Sequence, residues 1–259
     1  MEILETEGTK IAYQLSGNER GPKLILIHGL YVNSDCWKYQ LPWFERDYHI
    51  LRFDLHGHGR SLITGNRITI RNYVNDMSIL LKHLGWDKDL IVVGHSLGGM
   101  VAQVYAHENQ DKIRKLVIAS SYCFVRDEEV SEVLESFRQY TMDQFSRGIG
   151  RLGLTPYNKE DAMWIAKMMR DYLTKENAIL ATYASAGFNF CDHLRDIEIP
   201  TLIIVGENDQ TTPIEAAEMM HNRLPRSELN VVENANHLVI IDHSQQFNET
   251  VSSFLNQVS

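Results

Sequence analysis

Three side chains far apart in this chain have the types and settings to do chemistry together: Ser96, Asp209 and His237. Ser96 is the centre of Gly94-His95-Ser96-Leu97-Gly98, which follows the apolar run Leu90-Ile91-Val92-Val93 and precedes the helical-looking run Met100 to His107. A strand that turns at once into a helix strains the residue at the apex, and glycines two places before and after it let strand and helix close together. The serine hydroxyl is then held out of the sheet beside a helix N-terminus, where negative charge is favoured. A hydroxyl is a weak nucleophile until an imidazole can take its proton. Of the eleven histidines, His237 has the right setting. It lies in the polar loop Glu233-Asn234-Ala235-Asn236-His237 after the last predicted strand, where an α/β sheet presents functional groups. His28 stands at a strand end, His56 and His58 lie in a glycine-rich turn, and His95 is too near Ser96 in sequence to fold back as its base.

The base needs a carboxylate to hold its tautomer. Asp209, in Gly206-Glu207-Asn208-Asp209 after the strand Leu202 to Val205, completes the chain order Ser, Asp, His, with Glu207 as the near rival. Attack on a carbonyl also requires donors for the developing oxyanion. The backbone N–H of Leu97 is one candidate, and that of Leu30, in the loop opening at His28-Gly29, is the second. The turn Asp54-Leu55-His56-Gly57-His58-Gly59-Arg60-Ser61 looks reactive, but its glycines and short polar groups suit a hydrogen-bonded scaffold. Its two histidines lack the accompanying ligands of a metal site, so no metal is expected. No phosphate-cradling glycine pattern occurs, so no nucleotide cofactor is expected either.

The elements that must position these groups follow from apolar periodicity. Ile3 to Thr6 and Lys10 to Leu15 read as a hairpin about the turn Glu7-Gly8-Thr9. Lys23 to His28, Tyr48 to Phe53, Leu90 to Val93, Lys115 to Ala119, Leu202 to Val205 and Glu228 to Val232 read as strands, mostly apolar throughout as in a sheet covered on both faces. Helices are expected at Trp37 to Phe44, Ile70 to Leu84, Met100 to His107, Ile214 to Leu224 and Gln245 to Leu255. The alternation predicts an α/β protein with a mainly parallel, doubly wound sheet and an antiparallel hairpin at its start. It stops between Tyr122 and Asp196, a helix-like stretch holding eleven of the twenty-four aromatic residues. This predicts an inserted helical cap, residues 122–196, between core segments 1–121 and 197–259. Tyr31, Trp164 and Met142 are the candidate substrate contacts.

Composition narrows the class. The hydrophobic fraction of 44% and charged fraction of 23% are those of a globular chain. A net charge of −9 argues against a nucleic-acid surface. No apolar window approaches the length of a membrane span, and the N-terminus lacks the pattern of a signal peptide. Cys36, Cys123 and Cys191 are widely spaced and odd in number, which suggests free thiols in a reducing, cytoplasmic setting. A homodimer stays open.

Taken together, the motifs resemble those of the α/β-hydrolase superfamily over essentially the whole chain. The carriers are Leu26-Ile27-His28-Gly29, Asp54 to Ser61, Gly94-His95-Ser96-Leu97-Gly98-Gly99, Gly206-Glu207-Asn208-Asp209 and Asn236-His237. Ser34-Asp35-Cys36-Trp37-Lys38-Tyr39-Gln40-Leu41 is similar to the segment after the oxyanion loop in 3-oxoadipate enol-lactonases, cofactor-free haloperoxidases and related small esterases. The resemblance implies a serine hydrolase acting on a small to medium carboxylic ester or lactone through an acyl-enzyme, without a cofactor. Serine at 96, where haloalkane dehalogenases and epoxide hydrolases carry aspartate, disfavours those activities. An acyltransferase, a C–C bond hydrolase on the same triad and a slow-turnover ligand receptor of this fold remain alternatives.

Overall fold

The computed structural model describes residues 1–6, 8–62 and 67–257. The strands are β1 (Glu2–Thr6), β2 (Thr9–Gly17), β3 (Lys23–Ile27), β4 (His49–Phe53), β5 (Leu90–His95), β6 (Ile113–Ala119), β7 (Thr201–Gly206) and β8 (Ser227–Val232). They form one sheet in the order β1-β2-β4-β3-β5-β6-β7-β8. β2 runs antiparallel to both β1 and β4, and every later pairing is parallel. The expected hairpin is therefore present, although Glu7 of its turn lies outside the described residues and Thr9 already belongs to β2.

The continuous apolar runs are strands buried on both faces. Ile25, Ile27, Val92, Ile118, Ile203 and Val205 enter one apolar layer. Their sequence neighbours Leu24, Leu26, Val93, Val117, Leu202 and Ile204 enter the other. Alternation at period two, with both faces covered, leaves no polar face to read.

The helices are α1 (Leu41–Phe44), α2 (Ile70–Leu84), α3 (Leu97–Glu108), α4 (Asp127–Gln139), α5 (Met142–Leu152), α6 (Lys159–Tyr172), α7 (Lys175–Ala184), α8 (Ile214–His221), α9 (Val239–Asp242) and α10 (Ser244–Asn256). α2 starts where Thr69 and Asn72 cap each other reciprocally and stops at Gly85, which takes a left-handed φ of 65°. α3 is buried on all sides from Leu97 to Ala106, as a helix packed between sheet and neighbours must be. The expected helix Trp37 to Phe44 is instead a 3₁₀ turn, Ser34–Trp37, followed by the short α1. The break has a cause: the buried Gln40 side chain donates to the Ile240 carbonyl and to Asn248, and Pro42 opens the new helix.

Between β6 and β7 lie α4 to α7 and the 3₁₀ helix Cys191–Asp196. This inserted helical segment leaves and rejoins the sheet through a neck of two antiparallel segments. Val125 N–H donates to Phe188 O, Phe190 N–H donates to Cys123 O, and Phe124 pairs with Asn189. The neck corrects the expectation of three free thiols. It brings Cys123 and Cys191, separated by 68 positions, to a Cα distance of 4.8 Å, and they form a disulfide; only Cys36 is free, and it is buried. Long-range pairing of this kind leaves no mark in local spacing, and the argument for a reducing compartment loses its support. No helix among the described residues is long and apolar enough to cross a membrane.

The disulfide closes a long loop, and such closures typically contribute about 2–4 kcal/mol. The Cys123→Ser/Cys191→Ser variant is expected to lose about 2–4 kcal/mol of unfolding free energy, read as a lower urea midpoint, with wild type in reductant shifting to match.

Candidate active site

Ser96 is the single residue between β5 and α3, with φ 53° and ψ −119°. A non-glycine residue at such angles costs on the order of 1–3 kcal/mol and persists only where its surroundings dictate it. Here they do. Ser96 N–H donates to Ala119 O at 2.9 Å, and the Ser96 carbonyl accepts from Gly99 N–H at 2.8 Å and from the Ser121 hydroxyl at 2.7 Å. The flanking glycines are steric necessities. A Cβ on Gly98 would lie 2.2 Å from the Ile27 carbonyl oxygen, and one on Gly94 would lie 2.3 Å from the Gly98 carbonyl oxygen.

The turn delivers the Ser96 hydroxyl to His237. Its Oγ lies 3.1 Å from His237 Nε2, while His237 Nδ1 lies 3.1 and 3.0 Å from the two carboxylate oxygens of Asp209. The Asp209 side chain is fully buried, His237 is 13% exposed, and Ser96 is partly open to solvent. Asp209 Oδ1 also accepts from the N–H groups of Thr211 (2.9 Å) and Thr212 (2.8 Å), and Oδ2 accepts from the Thr212 hydroxyl (2.6 Å). Burial by itself would raise the pKa of this carboxyl. The imidazole beside it and the Thr212 hydroxyl and N–H outweigh burial and hold the pKa at about 2. Glu207, the rival carboxylate, turns away: it is exposed and accepts from Asn234 N–H.

Around this trio stand residues whose roles the sequence did not disclose. His95 Nε2 lies 2.8 Å from the His237 carbonyl, so the residue before the serine holds the backbone of His237. Burial, then the charge of His237, lowers the His95 pKa to about 3, which keeps its ring neutral. Its signal was only its adjacency to Ser96. Asn236 Oδ1 accepts from His237 N–H (2.8 Å), while its Nδ2 donates to Leu152 O (2.9 Å) and Thr155 Oγ1 (3.0 Å) in the cap. Buried Asp242 Oδ2 accepts from Thr155 N–H (3.0 Å) and Asn236 N–H (3.2 Å), and Leu238 N–H donates to Gly153 O. A carboxylate closing the apolar run Val239-Ile240-Ile241-Asp242 was the available signal for that role.

The remaining candidates are placed as follows. Leu97 opens α3 directly after the serine. Leu30 follows Gly29, whose Cβ, if it had one, would lie 3.1 Å from Ser96 Cβ. Tyr31 is buried with its hydroxyl 2.6 Å from Thr182 Oγ1 and its ring against Phe137 and Phe145, joining the loop after β3 to the helices inserted between β6 and β7. Met142 packs at the edge of the second apolar layer. Trp164 lies under the Lys38 ammonium, 3.8 Å from its ring centre, beside the Lys38–Asp161 ion pair. His28, His56 and His58 belong to the scaffold. His28 accepts from Leu55 N–H, His56 pairs with Asp76, and His58 packs on the His28 ring.

Residues 22–244 match the family model for the α/β hydrolase fold. The chain belongs to the α/β-hydrolase family. A pimeloyl-[acyl-carrier protein] methyl ester esterase of Aeromonas hydrophila is similar to this α/β-hydrolase, at 27% identity over 91% of this chain and 96% of its own. A 3-oxoadipate enol-lactonase of Acinetobacter baylyi is 24% identical over 98% of this chain and 96% of its own. The crystal structure of a hydrolase from Pseudomonas aeruginosa superposes with a TM-score of 0.90 at 25% identity, covering 99% of this chain and 98% of that one.

Three outcomes follow for this α/β-hydrolase. Asp209→Asn preserves shape but presents a donor where His237 Nδ1–H needs an acceptor, and kcat is expected to fall about 10⁴-fold by steady-state kinetics. Because Asp209 is ionised at every pH above about 2, no Asp209 ionisation should appear in a wild-type kcat/KM profile from pH 4 upward. Asp242→Ala removes the link between Thr155 and the Asn236–His237 backbone. It is expected to lower kcat by roughly 10-fold or more with little change in KM, whereas Asp242→Asn, which keeps an acceptor oxygen, retains most activity.

Proposed function

We propose that this α/β-hydrolase is a serine hydrolase cleaving a small to medium carboxylic ester or lactone through a Ser96–His237–Asp209 triad and an acyl-enzyme. The observation that carries the reading is the unbroken series of contacts from Ser96 Oγ through the two ring nitrogens of His237 to the Asp209 carboxylate. Asp209 keeps the Nδ1 proton on the imidazole, which leaves Nε2 free to take the serine proton. Ser96 Oγ then attacks the carbonyl carbon, and the oxygen that gains charge is received by the N–H groups of Leu97 and Leu30. The position of Leu97 at the start of α3 favours this charge further. As the tetrahedral intermediate collapses, His237 hands its proton to the leaving alkoxide. Water, deprotonated by the same nitrogen, releases the acid from Ser96.

The substrate class draws on the relatives, one a methyl ester esterase and one an enol-lactonase, and on the aromatic content of the cap. Tyr31, Met142 and Trp164 stay the proposed contacts for its apolar part.

The test is hydrolysis of p-nitrophenyl esters of increasing acyl length, followed by simple lactones, with Ser96→Ala alongside. Wild type is expected to show an optimum in acyl length, and Ser96→Ala to lose at least about 10⁴-fold in kcat. Wild-type turnover no higher than that of Ser96→Ala across both panels would overturn the ester and lactone reading.

A further inference from the structure

α3 carries the serine at its N-terminus and a different cluster at its other end, about 16 Å away along the helix axis. His107 stands in the last turn of α3, and His193 and Asp196 lie on the 3₁₀ helix Cys191–Asp196 at the exit of the cap. Residues three apart on a 3₁₀ helix eclipse one another, so His193 and Asp196 face the same way. One ligand atom from each of the three residues lies within 4.8 Å of the other two.

We propose that His107, His193 and Asp196 form a binding site for a zinc-class divalent cation. The spacing of the His107–Asp196 pair supports this. Nε2 and Oδ2 are 3.6 Å apart, too far for a good hydrogen bond. With metal–ligand bonds of about 2.0–2.2 Å, two ligands on one tetrahedral Zn²⁺ sit roughly 3.3–3.4 Å apart. The two imidazoles are also held in place. Phe190 packs against both, with ring centres 5.5 Å from His107 and 4.8 Å from His193, and the two histidine rings are 5.2 Å apart. A two-histidine, one-carboxylate set suits Zn²⁺ among the divalent metals, with solvent as the fourth ligand. The carbonyl end of α3 favours positive charge at this position. Bound metal would clip the far end of α3 to the 3₁₀ helix, two residues from Cys191.

The experiment is calorimetric titration of ZnCl₂ into the full-length oxidised protein stripped with EDTA, paired with thermal unfolding. Wild type is expected to bind one Zn²⁺ per chain and to melt higher with metal present. Asp196→Asn and His193→Gln should each weaken binding at least about 10-fold and abolish the thermal shift, while the exposed His83→Gln changes neither. The Asp196 side chain is 67% exposed, so its replacement leaves the fold intact. Absence of a saturable one-to-one event, or equal affinity in both ligand variants, would make the trio an ordinary ion pair beside stacked rings. Both readouts are independent of ester hydrolysis, so the result stands apart from the proposed catalytic reading.

Discussion

The approach of α3 to the sheet is the constraint on which the rest of the site depends. With Gly98 seated against the Ile27 carbonyl and Gly94 against the Gly98 carbonyl, there is room for one residue between strand and helix. That residue is Ser96, and its positive φ is the geometric result. The same compression places the Ser96 carbonyl where Ser121 and Gly99 can hold it. The strain at one residue is thus balanced by hydrogen bonds from the next strand and from the first turn of the helix. Because Ile27 and Gly29 belong to one chain segment, the packing that forces the serine outward also draws the Gly29–Leu30 backbone against it.

The charges around the trio are arranged asymmetrically. Asp209 is buried yet accepts from two backbone N–H groups, a hydroxyl and an imidazole, so it carries its charge at low cost. Tyr122, three residues past β6, donates to the Thr211 carbonyl and so ties the Asp209 loop to the strand next to the serine. His237 is held at its backbone by His95 and Asn236, which leaves its ring to face Ser96 on one side and Asp209 on the other. Asn236 in turn reaches the cap at Leu152 and Thr155. His237 therefore takes its orientation both from the sheet's loops and from the helices inserted between β6 and β7.

Features encoded locally were the legible ones. The reciprocal cap at Thr69 and Asn72 and the left-handed Gly85 bracket α2 at the bounds its apolar spacing predicts. The parallel strands read as apolar runs because both faces are covered. Ser96, Asp209 and His237 were each singled out by a place at a strand end, and the fold brings all three within hydrogen-bond reach. Features that depend on pairing across long stretches of chain were not legible. Cys123 meets Cys191 only because the cap neck is antiparallel. Gln40 breaks a helical pattern because its partners lie two hundred residues away. His95 drew notice only for its adjacency to Ser96, and the fold makes it the support of the His237 backbone.

The narrow neck of the cap has a consequence for how such a protein can change over generations. The segment from α4 to α7 enters and leaves the core at one place, where Cys123 and Cys191 cross-link the two passing strands. Insertions, deletions and altered helix packing beyond that point leave the pairing of β6 with β7 undisturbed. Drift there is restrained where the inserted segment meets Asn236 and Asp242, Tyr31, and Lys38. Sequence change can therefore accumulate in the inserted helices while the contacts joining Ser96, His237 and Asp209 are kept.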